Sequence, residues 1–260
     1  MERRLAIPAL IALLAVVGVV ASQAAVVQKD DLRVNFDANF TPQSLPRTQP
    51  APVTVQIHGA IATTDGSHPP PLQWLEVELN RSGRISTQGL PICSSSLLQS
   101  TSTSQALARC ASAQVGSGHF KAQVDLGGEV PASGEILAFN SRRHGKPMLL
   151  LHFFASVPVR FTLVVPLVIG QRTKGEFGTV LRARVPRLGG GLGSITEIDL
   201  AVGRRYSFAG KRHSYLSAAC RTLKGVRIGI FPFARARFRF QSHELIRPEP
   251  LVKHCQVRQG

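Results

Sequence analysis

Arg235, Arg237 and Arg239 alternate with Ala236, Phe238 and Phe240, and Arg182 and Arg184 repeat that spacing inside Leu181–Val185. In an extended chain, residues two apart share a face. The first run therefore puts guanidiniums on one side of a strand and apolar groups on the other. A guanidinium is planar and always charged, and it matches phosphate or carboxylate with paired hydrogen bonds. The chemistry these five arginines offer is recognition of an anion. The competing account is the wet face of a sheet, partnered by Glu76 and Glu78, where exposed pairs contribute only about 0–1 kcal/mol each.

A second set of residues has the types needed for acid–base work. Its carboxylates are Glu76, Glu78, Asp125, Glu135 and Asp199, and its histidines are His58, His68, His119, His144, His152, His213, His243 and His254. They are scattered. No two histidines stand at H-x-H or H-x3-H spacing, so no metal site is expected, and a Ser–His–Asp triad has no local support. No serine between Cys93 and Cys110 lies in a G-x-S-x-G elbow, so capping and solvation account for them. Leu188-Gly-Gly-Gly-Leu-Gly-Ser194 lacks the Lys-Ser/Thr of a phosphate loop and precedes a strand pattern, which makes it a connector. No catalytic residue and no cofactor are assigned.

Charge narrows the partners. Residues 1–141 carry 9 Lys+Arg against 10 Asp+Glu, a net of −1, and residues 142–260 carry 22 against 5, a net of +17. The N-terminus says where such a half-chain would meet an anion. Met1-Glu-Arg-Arg4 precedes the unbroken apolar run Leu5–Ala21, and small residues at Ser22 and Ala24 follow. That is the layout of a secretory signal over residues 1–24, with a retained membrane anchor as the alternative. Either way the rest of the chain lies outside the cytoplasm. Specific nucleic-acid recognition then gives way to anionic cell-wall polymers or lipid head groups as expected partners. A surface that is simply solvated remains the plainer reading, since net charge speaks to solubility rather than activity.

The elements that must position these residues read as strands. Leu32, Val34 and Phe36 alternate in Asp30–Phe40, Val53, Val55 and Ile57 in Val53–Ile61, and Leu75, Val77 and Leu79 face away from Trp74, Glu76 and Glu78. Further strands are expected at His119–Leu126, Glu135–Asn140, Pro147–Ala155, Val157–Ile169, Phe177–Val185, Ile195–Val202, Arg205–Phe208, Val226–Phe233, Arg235–Gln241 and Pro248–Val257. Pro158 and Pro166 assign their run to a sheet edge or to strand ends. Turn signals between successive strands favour an antiparallel sandwich or barrel over βαβ units. Ser104–Arg109 has the composition of a short helix with a serine cap.

Four cysteines in an exported chain read as two disulfides. The local pairing Cys93–Cys110 with Cys220–Cys255 is preferred among the three connectivities, and each bridge is worth roughly 3–4 kcal/mol by loop entropy. Zinc is disfavoured because no pair has C-x2-C spacing. The expected fold is all-β: an antiparallel β-sandwich, jelly-roll or Ig-like, formed by residues 25–260 as one domain, with one disulfide-closed helical excursion near residues 94–110.

Leu32-Arg-Val-Asn-Phe36, Ala51-Pro-Val-Thr-Val55, Thr64-Asp-Gly-Ser-His-Pro-Pro-Pro71, Gly89-Leu-Pro-Ile-Cys93, Ala106-Leu-Ala-Arg-Cys110, Leu137-Ala-Phe-Asn140 and Ser214-Tyr-Leu-Ser-Ala-Ala-Cys220 are together similar to a family of secreted proteins from high-GC actinobacteria. The resemblance runs from about Leu32 to about Cys255. It implies export, a bacterial source and two disulfides, and it carries no activity, cofactor or catalytic residue. The expectation is a non-catalytic, exported envelope protein that meets an anionic polymer through its basic half. The alternative is an envelope hydrolase or carbohydrate-acting enzyme built from the scattered carboxylates and histidines. The discriminating observation is whether Arg182, Arg184, Arg235, Arg237 and Arg239 share one surface.

Overall fold

Period-two alternation is nearly unbroken in the strand Leu32–Thr41, where Leu32, Val34, Phe36, Ala38 and Phe40 are buried and the residues between them are not. A strand of that kind needs a second apolar layer. The computed structural model describes residues 24–188, 193–241 and 245–258, and in it the second layer is the other half of the same sheet. Residues 1–23 of the expected signal segment, residues 189–192 of the glycine-rich connector and His243 lie outside the described residues.

In chain order the strands are β1 (Ala25–Lys29), β2 (Leu32–Thr41), β3 (Ser44–Leu45), β4 (Ala51–Pro52), β5 (Thr54–Thr63), β6 (Leu72–Asn80) and β7 (Gly83–Ile85). After the helices α1 (Ser95–Leu98) and α2 (Thr103–Cys110) come β8 (Gln114–Asp125), β9 (Glu129–Arg143), β10 (Lys146–Ala155), β11 (Phe161–Gln171), β12 (Phe177–Arg184) and β13 (Gly193–Val202). The chain closes with β14 (Arg205–Phe208), β15 (Lys211–Ser214), β16 (Leu216–Ala218), β17 (Ile228–Phe240), β18 (Leu245–Ile246) and β19 (Leu251–Val257). The main sheet runs β1-β2-β5-β13-β8-β9-β10-β11-β12-β6-β17-β19-β3, with β18 on β17. All its pairs are antiparallel except β19 with β3. A β14–β15 hairpin and a small β4–β16–β7 sheet complete the set.

The sheet rolls until its two ends meet. Phe36 of β2 lies edge-on to Phe238 of β17 at 6.1 Å, and Phe40 stacks on Phe233 at 5.4 Å. Outside that seam, Lys253 of β19 donates to Asp37 of β2 at 2.8 Å. Curling this tight needs close backbone approach. An added Cβ at Gly118 would lie 1.9 Å from the Asp199 carbonyl oxygen, and one at Gly134 would lie 2.0 Å from that of Phe154. Only glycine fits there. The result is an all-β antiparallel sandwich whose facing layers belong to one rolled sheet.

α1 and α2 form the one helical excursion, tied by Cys93–Cys110 with Cα atoms 5.5 Å apart. Their apolar residues Leu98 and Ala106 cover the outer side chains of β9 and β10, among them Phe139 and Leu150. The cap of α2 is Ser102 rather than Ser104. Its hydroxyl accepts from the Gln105 amide while Gln105 accepts from the Ser102 amide, the reciprocal box that fixes a helix start. Cys220–Cys255, at 5.7 Å, ties the start of the last segment to β19.

Three expectations about strands are corrected. Val226–Phe233 and Arg235–Gln241 are one strand, β17, because a bulge between Pro232 and Ala234 carries the pairing through. An additional strand, β1, precedes β2. Pro166 sits inside β11, which lies between β10 and β12, rather than at an edge. It is tolerated because pairing with β12 begins only at Leu167, so residues 161–166 are edge-like on that flank.

Candidate functional site

The outer face of β12, β6 and β17 brings the five arginines together. Register places Arg182 and Arg237 on either side of Glu76, Arg235 beside Glu78, and Arg184 and Arg239 on either side of Trp74. They therefore occupy one surface. What lies between them differs from a solvated row of pairs. Glu76 is only 4% exposed and Glu78 only 1%. Long arginine stems on the flanking strands lie over the shorter carboxylates and keep their own heads in water.

The contacts are dense. Arg182 Nε donates to Glu76 Oε2 at 2.5 Å, and Arg237 reaches Glu76 Oε1 at 2.7 Å. Arg235 Nε donates to Glu78 Oε2 at 2.6 Å, with its Nη2 on the same oxygen. Arg172, from the turn after β11, reaches Glu78 at 2.5 Å. Burial acts to raise the Glu78 carboxyl, but the hydrogen bond from Arg235 and the charges of Arg235, Arg172 and Arg237 outweigh it and hold the group below its ordinary value. Four guanidiniums, those of Arg172, Arg182, Arg235 and Arg237, thus surround two carboxylates. Arg184 and Arg239 are exposed and have no carboxylate partner among the described residues, although Arg239 lies 6.0 Å from the Trp74 ring. Periodicity revealed five of these arginines. It missed Arg172, which lies on a turn where no period exists.

Farther along β17 the same outer face turns apolar. Ile228 and Ile230 are 57% and 64% exposed, and Val252 of the neighbouring strand is 50% exposed. Guanidiniums beside exposed aliphatic groups make a surface that is basic at one end and greasy at the other.

The acid–base residues divide between places. Asp37, His58, Asp199, His119 and Glu135 stand directly opposite one another on β2, β5, β13, β8 and β9, forming one row across the outer sheet. His58 Nδ1 and Asp199 Oδ1 are 2.7 Å apart. Sequence gave no sign of this row, because register between distant strands is not a local property. The other members are elsewhere. Asp125 accepts from the Gly127 and Gly128 amides of a tight turn. His68 contacts the Gln123 carbonyl, and His213 stacks on Tyr206. His144 occupies the β9–β10 turn, and His254 lies on β19. His152 is buried under the helices, where its Nε2 donates to the Thr101 carbonyl at 3.1 Å. Among the described residues no group of three or more His, Cys, Asp or Glu is placed to hold a metal ion.

Inside the roll, the two layers do not fully meet. A cavity of about 200 Å³ lies between β2, β5 and β13 on one side and β10, β11, β12, β6 and β17 on the other. Ile57, Leu75, Val77, Leu151, Val165 and Phe238 are among its walls. Protein interiors are normally packed as densely as organic crystals. At ~24 cal/mol per Å³, a void of this size without an occupant costs about 5 kcal/mol, a sum comparable to the net stability of a domain. Alternation shows which side chains point inward, but not whether the inward faces touch.

The two disulfides suit an oxidising compartment. Among the described residues no helix is long and apolar enough to cross a membrane. No protein-family model, curated protein or solved structure matches the chain, so function has to be read from this geometry.

Proposed function

We infer that this is an exported, non-catalytic protein of the cell envelope that binds anionic lipid head groups through the outer face of β12, β6 and β17. The observation that carries the reading is the convergence of six arginines on one face, four of them over two buried carboxylates, with Arg184 and Arg239 left to engage an outside anion. The exposed Ile228, Ile230 and Val252 favour a lipid surface over a wall polymer, since apolar side chains gain by entering the head-group boundary. The N-terminal signal pattern, the disulfides and the resemblance to secreted actinobacterial proteins support export.

Co-sedimentation of the purified protein with phosphatidylglycerol-containing vesicles tests the reading, with pure phosphatidylcholine vesicles and a heparin-type resin as comparison arms. Binding to anionic vesicles should weaken steeply above about 0.15 M salt, where the Debye length is ~8 Å. Arg184→Ala with Arg239→Ala should weaken it about 30-fold, at about 1 kcal/mol per basic residue. Arg33→Ala and Arg212→Ala, exposed on β2 and β15, are the controls. Arg47 and Arg81 would be poor ones, because both hold backbone carbonyls. Equal losses from both sets would mean diffuse charge. Ile228→Ser with Ile230→Ser should reduce vesicle binding alone. Retention on the resin without vesicle binding would point to a polymer instead.

The enzyme reading keeps one specific observation. Asp199 and Glu135 flank His119 two strands apart, about 9–10 Å at ~4.8 Å per strand, close to the separation of an inverting glycosidase pair. Hydrolysis of a wall glycan that disappears in both Asp199→Asn and Glu135→Gln would establish it.

A further inference from the structure

The cavity asks for something the outer face does not explain. Its volume, about 200 Å³, exceeds the ~150 Å³ of an engineered apolar cavity that takes up benzene. Its walls come from both halves of the rolled sheet and are almost entirely aliphatic or aromatic. Two lining residues, Asn35 and Tyr215, carry a buried side-chain polar atom without a hydrogen-bond partner, and of the two atoms only the Tyr215 hydroxyl is a donor. Tyr215 is fully buried and lines the cavity, and its hydroxyl has no hydrogen-bond partner. Burial pushes the phenol's ionisation up, so the O–H remains a donor throughout the ordinary pH range. A buried donor without an acceptor is costly, which makes it the natural anchor for a ligand's oxygen.

We propose that the interior of the roll is a binding site for an uncharged apolar molecule, an acyl or isoprenoid chain carrying one hydroxyl or ester oxygen, with the chain against Leu75, Val77 and Val165 and the oxygen accepting from Tyr215. An ionised head is ruled out inside by cost, because an unpaired charge there would lose its hydration without compensation. The walls mix aliphatic side chains with Phe36, Phe153 and Phe238. Small β-barrels and rolled sheets that stop short of filling their interior with side chains hold one small ligand in this way. The proposal is independent of the arginine face, which lies on the opposite side of β6 and β17.

The experiment uses N-phenyl-1-naphthylamine, an uncharged fluorophore that brightens in apolar surroundings, with 1-dodecanol as competitor. The purified protein should bind the dye saturably at one site, and dodecanol should displace it. Val165→Phe, which fills the cavity, should weaken dye binding by tenfold or more without lowering the melting temperature. Should that variant fail to fold, Val77→Leu is the milder filler and should weaken binding several-fold. Tyr215→Phe should leave the dye affinity intact and weaken dodecanol by about three- to tenfold, the worth of one hydrogen bond. Arg184→Ala with Arg239→Ala should change neither. Absence of saturable dye binding, failure of dodecanol to displace the dye, or filled variants that bind as tightly as the unsubstituted protein would overturn the site. An unchanged dodecanol affinity in Tyr215→Phe would overturn the assigned anchor.

Discussion

At Glu78 two forces oppose each other. Removing a carboxylate from water favours its neutral form, while three guanidiniums favour the charged one, and the second effect prevails. The sign of the linkage follows. A carboxyl held below its ordinary value of 4.5 contributes stability that is fully present above that pH and is lost as pH falls through the lower folded-state value. Urea denaturation should therefore show stability falling with acidification below pH 4.5, and Glu78→Gln should flatten that limb. An unchanged limb would assign the acid sensitivity to other carboxylates. Arg235→Ala should cost about 1–2 kcal/mol at neutral pH. The figure is modest because the guanidinium is 40% exposed and because Arg172 and Arg237 stay with the carboxylate.

The helical excursion is the element whose stability is most separable from the rest. Its core side chains pack on the outer surface of β9 and β10, and its covalent tie spans 17 residues. Opening Cys93–Cys110 by double alanine substitution should cost about 3 kcal/mol and raise amide exchange across Thr103–Cys110 before the main sheet responds. Exchange mass spectrometry reads both. His152 adds a pH term to the same element. Burial lowers its proton affinity below the ordinary value of 6.5, partly offset by its hydrogen bond to Thr101. The neutral form is the folded one, so its contribution is present above pH 6.5 and is lost as pH falls through the lower folded value. Amides of the excursion should exchange faster at pH 5 than intrinsic rates require, and His152→Gln should remove the excess.

For the whole molecule, the seam between β2 and β17 decides whether the sheet stays rolled. Phe40 is 3% exposed and stacks on Phe233. Phe40→Ala should cost about 3–5 kcal/mol and should lower the stability of every probe together, because the roll closes as a unit. Loss confined to β1 and β2 would mean that the ends of the sheet open independently.

The alternation of Leu32, Val34 and Phe36, and of Arg235, Arg237 and Arg239, is a local property of an extended chain, so strand identity and the inward or outward sense of each side chain were legible in the sequence. So was the pairing of four cysteines into two nearby bridges. What decided the chemistry is not local. The adjacency of β6 to both β12 and β17 follows from packing across 106 and 157 residues of chain, and it alone buries Glu76 and Glu78 beneath arginines. The same long-range register lines up His58, Asp199 and His119. The rolling of one sheet onto itself, set by glycines such as Gly118 that admit close backbone approach, fixes how far apart the apolar faces stand. A pattern with period two states which way a side chain points, while the distance to the opposite layer belongs to the closed roll, and that distance is what leaves room for a ligand.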